Sequence, residues 1–591
     1  MCGIHALLSS VMFNATAERR KQLHQLYQTA HRNLSLRGPE DNKTVHVHDG
    51  VSLSFYRLAI NGLNTKGMQP FQLAQYEHLL VICNGEIYNH VELEKQIGYE
   101  NVSGSDCEVI VPLMAKFGFA QTVKLLDGVF GLAIWDNSEK ILWIARDRFG
   151  VRPLFVAKDY CPQSGRILAV QYSSELKAMR LESDLPNGKA LKATQFLPGC
   201  YVGYKFNQKD GCSIKQIVDD RYFTTHFPRN PTIPLDECLQ GVNRMFRLAV
   251  EKRLMSERPI GCLLSGGLDS SLVASIVAEQ LRKQGKRPNT FSIGLPGSPD
   301  LAFARHVAEH IGSIHHEFLL DPQEFLAAID HVIYIIESWD TTTVRASVGN
   351  YLVAKKIAEY NANQDKFEDK VIVIFNGDGS DEIAGGYLYH HRKAPSLLEF
   401  HAENERLLSE INYFDVLRSD RTICDNGLEA RTPFLDPDFV AYYLSLPVQY
   451  RGDKTKPEKW LLREAFRNDN LLPSEVLNRT KEAFSDGVSG QEKSWWEIIQ
   501  EWVLEKKIQK DVYTSLTTDA PDSDGKLSAA LPQSIEAAYY RLQFNKYYPN
   551  QSQVIPHYWL PRWFGNVINP SARILDVYEH SQKPEVVAVK A

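Results

Sequence analysis

The chain has 591 residues, 43% hydrophobic and 23% charged, with a formal net charge of −6 at pH 7. That length exceeds one ordinary core and predicts two domains with appendages in a globular protein, not a fibrous or disordered one. The small charge and the lack of a dense Lys/Arg run give no support for a nucleic-acid partner, and no apolar run, 129–135 included, is long enough to cross a bilayer.

The start, Met1-Cys2-Gly3-Ile4, lacks the basic and then apolar stretch of a secretory signal. Nine cysteines lie singly, without CxxC spacing, which predicts reduced thiols in a cytoplasmic protein rather than a disulfide framework or a zinc site. Short alternating strands follow at 51–57, 79–84, 129–135 and 141–146, separated by turns rich in Gly, Asn and Asp. They predict packed antiparallel sheets with few long helices. The polar stretch 207–234, with prolines near its end, reads as a linker. Beyond it Leu239, Val242, Phe246 and Ala249 recur at helical spacing, and 260–264 is a short apolar strand running into a helix from about Asp269. Further strands are expected at 291–295, 316–320 and 371–375, with a helix capped by Asp300 and ended by Gly312. Strands alternating with helices predict a parallel α/β sheet, which binds ligands outside the carboxyl ends of its strands. The segment 506–534 reads as a polar surface excursion.

Cys2 stands directly behind the initiator methionine. Removal of Met1 would leave a cysteine with its own α-amino group beside its thiol. An amine of pKa about 8 can take the proton of a thiol of pKa about 8.5, so base and nucleophile arrive in one residue. On the dipeptide alone, an ordinary frayed second residue is the plainer reading. Its companions change that: Arg37-Gly38-Pro39, Tyr56-Arg57-Leu58-Ala59, Asn84-Gly85-Glu86-Ile87-Tyr88-Asn89 and Gly104-Ser105-Asp106 follow in this order. The set resembles the class II glutamine amidotransferase domain, an α+β N-terminal-nucleophile fold of two stacked antiparallel sheets. The resemblance implies that Arg57 holds the glutamine α-carboxylate with its planar fork, with Leu58, Ala59, Ile60 and Asn61 lining the same site. It also implies that Asp106 pairs with the α-ammonium, that Glu86 assists, and that the Asn84 side chain and the Gly85 N–H form an oxyanion hole. Two departures stand out. The polar segment between Ser9 and His31 is longer than the family's, and Arg37-Gly38-Pro39-Glu40-Asp41 replaces Arg-Gly-Pro-Asp, leaving Glu40 or Asp41 open as the family acid.

In the second half, Ser265-Gly266-Gly267-Leu268-Asp269-Ser270-Ser271 ends a strand and opens a helix, a place that suits a phosphate. The fixed lysine of a Walker A loop is missing. The loop resembles the PP-loop of ATP pyrophosphatases, which cut ATP between its α- and β-phosphates. The resemblance implies ATP contacts at Leu264, Ser265, Gly266, Gly267, Asp269, Ser270, Ile293, Asn376 and Gly377. Asp269 and Asp381 are candidate Mg²⁺ ligands, since that ion takes one or two carboxylates together with phosphate oxygens and water. Asn376-Gly377-Asp378-Gly379 is similar to the Ser-Gly-Glu-Gly of asparagine synthetases, with an acid one methylene shorter at Asp378. Asp340–Ser347 resembles the aspartyl-adenylate pocket of that family and implies Thr342, Thr343 and Arg345 as its lining. Lys481-Glu482-Ala483-Phe484 resembles the segment whose lysine steadies the charge developing on adenylate and pyrophosphate. Asp378 and Lys481 thus join Cys2, Asn84 and Gly85 as expected catalytic residues.

Together these signals predict a glutaminase domain at 2–204, a linker at 205–235, an α/β parallel-sheet PP-loop synthetase domain at 236–562 and a tail at 563–591. The expected substrates are glutamine, aspartate and ATP, with no nucleic-acid or membrane partner and a homodimer left open. Three other readings share parts of the pattern. A β-lactam synthetase would lack the segment at Thr342–Arg345, a glutamine–sugar-phosphate aminotransferase would lack Ser265–Ser271, and a non-enzymatic regulatory relative would have lost Cys2, Arg57 or the loop acids.

Overall fold

In the N-terminal half, β3 (Val51–Arg57) and β5 (Gly128–Asp136) are buried along their whole length, so both faces of each must be covered. Alternation explains how. Val51, Leu53 and Phe55 of β3 meet Ala133 and Trp135 of β5 in one core between two sheet layers, while Tyr56 and Leu132 turn to cores on the opposite faces. The computed structural model describes residues 1–571, apart from 48–49, 186–187, 208–211, 484–486, 491–492, 507–530, 566 and 568.

One layer runs through β2 (Asp41–Val47), β3, β1 (Gly3–Ser9) and β8 (Ile167–Ser173), with β7 (Phe155–Tyr160) attached to β8 and β9 (Ala193–Gln195) to β7. The other runs through β4 (Leu79–Ile87), β5, β6 (Ile141–Arg146), β10 (Cys200–Asn207) and β11 (Ser213–Arg221). A single register pair, Ile214 with Ile167, joins the two layers into one eleven-stranded antiparallel sheet. The stacked antiparallel arrangement read from the sequence is therefore observed.

Two expectations need correction. The segment expected as a linker from 205 contains β11, which pairs with β10 from Cys200–Arg221 to Asn207–Ser213; its apolar positions were too few to read as a strand because one face is solvated. The unusually long polar segment after Ser9 holds a 15-residue helix, Ala17–His31, capped by Thr16. Only Leu23, Tyr27 and His31, spaced four apart, are buried against the sheet, a stripe too narrow to signal a helix.

The second half is a five-stranded parallel sheet in the order β14 (Ile314–Leu319), β13 (Asn289–Gly294), β12 (Ile260–Leu263), β15 (Val373–Phe375), β16 (Glu429–Arg431). Ile374 points into the core with Ile329, Val332 and Val348, while Val373 and Phe375 point into the core with Val242, Phe246 and Leu272, so helices cover both faces. From β12 the chain first builds outward through β13 and β14, then returns to place β15 on the other flank. The carboxyl ends of β12 and β15 are thus a topological switch point, where open α/β sheets bind ligands. The helix expected from about Asp269 is Leu268–Lys283. The helix Pro299–Ile311 ends at Gly312, in the left-handed conformation at φ +65, but its N-cap is Ser298; Asp300 lies in its first turn instead.

Among the described residues no helix is long and apolar enough to cross a membrane, and all nine cysteines are free thiols. Most of the polar excursion at 506–534, the loop centre 484–486 and the tail from 572, which includes Arg573, lie outside the described residues.

Candidate active site

Two centres emerge, one in each half. In the first, Cys2 is held at the start of β1, where its Sγ lies 3.4 Å from the Leu58 carbonyl and 3.5 Å from the Leu58 amide. Burial pushes its thiol up to about 12, against the opposing pull of the N-terminal ammonium and the Leu58 N–H. Met1 is still attached, so the nitrogen of Cys2 is an amide. The terminal amine belongs to Met1, is buried, and donates to Leu428 O at 3.1 Å.

Several residues read from the sequence are tied together beside the segment that holds the thiol. Arg57 is buried; its two Nη atoms donate to Asn64 O at 2.9 Å and Gly62 O at 2.5 Å, and no carboxylate pairs with it among the described residues. Asn61 Nδ2 donates to Glu86 at 2.8 Å and to Asp106 at 3.4 Å, while Asp106 also accepts from the Ile87 N–H at 2.6 Å. Burial raises both Glu86 and Asp106 above the ordinary carboxyl range; for Glu86 the neighbouring Asp106 and Glu429 add to the shift. Two buried acids with raised pKa values facing one amide make a pocket that gains from a cation. Asn84 is fully buried with Oδ1 unpartnered, and its Nδ2 makes only a long 3.5 Å contact to Ser174. At Gly85 a Cβ would lie 1.9 Å from Val129 O, so the close approach of β5 requires glycine there.

Of the two acids after Pro39, Glu40 is the one tied into the protein. Glu40 accepts from the Ala59 N–H at 2.9 Å and from Arg258 of the synthetase half at 2.5 Å, whereas Asp41 is exposed and accepts only from the adjacent Asn42 N–H. The two halves meet through further buried ion pairs, Arg37 with Asp420 at 2.7 Å and Arg431 with Glu86 at 3.3 Å, and each arginine is also paired within its own half, with Glu175 at 3.0 Å and Glu429 at 2.7 Å.

The second centre is a cleft at the carboxyl ends of β12 and β15. Of the expected ATP contacts, Leu264, Ser265, Gly267, Asp269, Ser270, Ile293, Asn376 and Gly377 line it. Gly266, at φ +70, makes the turn beneath, where a Cβ would lie 2.4 Å from Phe303 Cβ. The two loops touch at Gly377, whose Cβ would lie 2.8 Å from Ser270 N. Asp378 lines the cleft with Oδ1 on Arg418 at 3.0 Å and Oδ2 buried without a partner. Lys481 also lines it, 2.7 Å from Asp381.

Sequence reasoning gave no role in this site to two residues found here, although Arg418-Ser419-Asp420-Arg421 also matches the family. Lys459 reaches Asp269 and Asp381 at 2.6 Å each, so one ammonium sits between both expected metal ligands. Burial works against the charge of Asp381, yet the two lysines hold its carboxyl well below the usual range. Lys459 lies in no motif, and its close fit shows only in the fold, at Gly386, where a Cβ would lie 2.0 Å from Lys459 Cε and 2.1 Å from Asp381 Oδ1. Arg418 is the second: it bridges Asp378 and, at 2.9 Å, Asp415.

Residues 1–217 match the glutamine amidotransferase domain family, and residues 241–405 and 395–520 match the asparagine synthase family. The asparagine synthetase [glutamine-hydrolyzing] of Homo sapiens is 39% identical over 601 residues, spanning 99% of this chain and 100% of its own. That of Bos taurus is 41% identical over 604 residues at the same coverage. The chain belongs to the glutamine-hydrolysing asparagine synthetase family.

Two residues expected in the aspartate pocket of this family member lie elsewhere. Thr342 lines the cleft and donates to Trp559 O at 2.9 Å, but Thr343 is buried against the N-cap Asp340, donating to its Oδ2 at 2.7 Å. Arg345 lies on the same helix, Thr341–Ala362, but turns to the flank packed against Glu536. It is clamped by Glu536 at 2.6 and 2.7 Å and by Asn569 at 2.8 Å; Ala346 and Asn350 line the cleft in its place. Arg345→Met should therefore strand a buried carboxylate at Glu536 and destabilise this region by about 3–5 kcal/mol. Calorimetry should show a clear fall in Tm, and an unchanged Tm would place Arg345 in the substrate pocket after all.

Proposed function

We propose that this enzyme hydrolyses glutamine at Cys2 and delivers the ammonia to β-aspartyl-AMP made from aspartate and ATP in the cleft, giving glutamate, asparagine, AMP and pyrophosphate. The observation that carries this reading is the pairing, in one chain, of a thiol beside an arginine-and-acid pocket with a PP-loop cleft containing an acid aimed inward.

With Met1 removed, the freed amine of Cys2 would take the thiol proton, and the thiolate would attack the glutamine side-chain amide. Arg57, free of any ion pair among the described residues, suits the α-carboxylate, and the acids at Glu86 and Asp106 suit the α-ammonium. Asn84 and Gly85 are placed for the oxyanion. Ammonia leaves, and water cleaves the glutamyl thioester. Met1 fills a buried seat between Arg37, Arg152 and Leu428, so its excision opens room beside the thiol on the side facing the synthetase half. A sheltered path matters because free ammonia is mostly protonated near neutral pH.

In the cleft, the aspartate β-carboxylate attacks the α-phosphorus and pyrophosphate leaves, because a carboxylate by itself is a poor electrophile. Lys459 and Lys481 stand beside the PP-loop, where negative charge builds on the leaving group. Asp269 and Asp381, both within reach of one Lys459 ammonium, fit the two-carboxylate donor set of Mg²⁺. That ion would supply charge neutralisation to the phosphates. The unpartnered Oδ2 of Asp378 then offers an acceptor for the N–H groups of the incoming ammonia. A thiol nucleophile and eight further free cysteines suit a reducing compartment such as the cytoplasm.

Mass spectrometry of products from isotopically labelled glutamine, aspartate and ATP tests the reaction. Asparagine, AMP and pyrophosphate in equal amounts are expected; release of ADP would refute the assignment.

A further inference from the structure

The segment that follows Arg57 is gripped by two residues of the other half. Arg258 Nε donates to Ala59 O at 2.6 Å, and its Nη2 donates to Glu40, whose other oxygen accepts the Ala59 N–H. The Glu257 N–H donates to Ile60 O at 3.1 Å, and its carboxylate accepts the Gly62 N–H at 2.5 Å. Gly62 is the node of the pocket. Its carbonyl accepts from Arg57, and its left-handed backbone, φ +62, packs so tightly that a Cβ would lie 2.6 Å from Ser105 N, next to Asp106. The two groups suited to the ends of a free amino acid, Arg57 and Asp106, are thus set apart by a loop whose own polar groups are held from across the domain boundary.

We propose that Arg258 and Glu257, contributed by the synthetase half, are positioning residues of the glutamine pocket, completing a site that the N-terminal half alone would leave loose. This rests on the glutamine reading above. Arg258 is buried, stacks 3.8 Å from the Phe367 ring, and lies two residues before β12, which ends in the PP-loop. The grip on residues 59–62 is therefore anchored in the same strand that carries the nucleotide loop. Neither residue touches the cleft lining, so their loss should be felt only at glutamine. A mobile 59–62 segment costs binding energy for substrate and transition state alike, which raises KM more than it lowers kcat.

The test uses the full-length enzyme and two assays: glutamate released from glutamine, and pyrophosphate released with ammonium as the nitrogen source. Arg258→Met should raise KM for glutamine about tenfold or more, with kcat within about threefold of the parent. Glu257→Ala, at an exposed side chain that the fold does not depend on, should raise it about threefold, and Glu257→Gln, whose amide oxygen can accept the same bond, should restore it. Ammonium-dependent pyrophosphate release should hold within about twofold in all three. An unchanged glutamine KM in Glu257→Ala, or proportional loss of both activities, overturns the proposal. Absence of glutamate release from the unmutated enzyme, with ammonium-dependent synthesis intact, overturns the glutamine reading itself.

Discussion

Cys2→Ala is expected to lower glutamine-dependent asparagine formation by about three or more powers of ten while leaving ammonium-dependent formation within about twofold. The asymmetry follows from the architecture. The thiol sits at the head of β1 in the antiparallel half, and none of the groups lining the cleft belongs to that half. The alanine also removes little packing, because Cys2 is only partly buried at the edge of its core. Met1 gives the same prediction a second form. In its presence the Cys2 nitrogen is an amide without a basic lone pair, and burial keeps the thiol protonated, pushed up to about 12. Enzyme that retains Met1 or carries a tag ahead of Cys2 should therefore use ammonium normally and glutamine hardly at all. Full glutamine use by protein that N-terminal sequencing shows to retain Met1 would rule out the amine as base. Loss of both activities in folded Cys2→Ala would rule out separate centres.

Asp378→Asn should reduce asparagine formation about 10²- to 10⁴-fold from either nitrogen source, each tenfold corresponding to about 1.4 kcal/mol of transition-state stabilisation. The geometry gives the substitution a definite sense. Arg418 donates to Oδ1, so the asparagine oxygen must stay on that side, which turns the NH₂ toward the cleft where Oδ2 now stands unpartnered. An acceptor becomes a donor at the point where ammonia is expected. Arg418 also loses half of the charge that balances it against Asp415, which burial already raises. Asp378→Glu keeps a carboxylate within reach of Arg418 and should stay within about tenfold of the parent. Asn376 does not obstruct it, since its side chain is engaged with Ser419 at 2.7 Å and with the Asp378 backbone rather than its carboxyl. Glutamine hydrolysis should survive both changes. Pyrophosphate release measured with each nitrogen source decides the matter, and near-normal release by Asp378→Asn would reduce this acid to a loop cap.

Which parts of this were legible before folding depends on how local the physics is. The residues of the sequence pointed to four strands of the first sheet, the turn from β12 into the PP-loop and the second glycine loop, because alternation and glycine turns are properties of neighbours along the chain. The family resemblance pointed to Asp378 and Lys481, which line the cleft, and to Arg57 and Asp106, which lie in the other half. The tertiary structure alone decided the rest. Lys459 comes from the start of a short helix, at φ +58, and reaches Asp381 from nearly eighty residues away and Asp269 from 190, so no local pattern announces it. Arg345 and Thr343 share a helix with Thr342 and Ala346, and only the packing of that helix against Glu536 shows which side faces ligand. Glu40 rather than Asp41 is the acid tied into the protein, because Arg258 meets it across the domain boundary. Long-range contacts of this kind are fixed by burial and charge pairing between segments that meet only after both sheets have formed, and a linear pattern holds no record of which partners those will be.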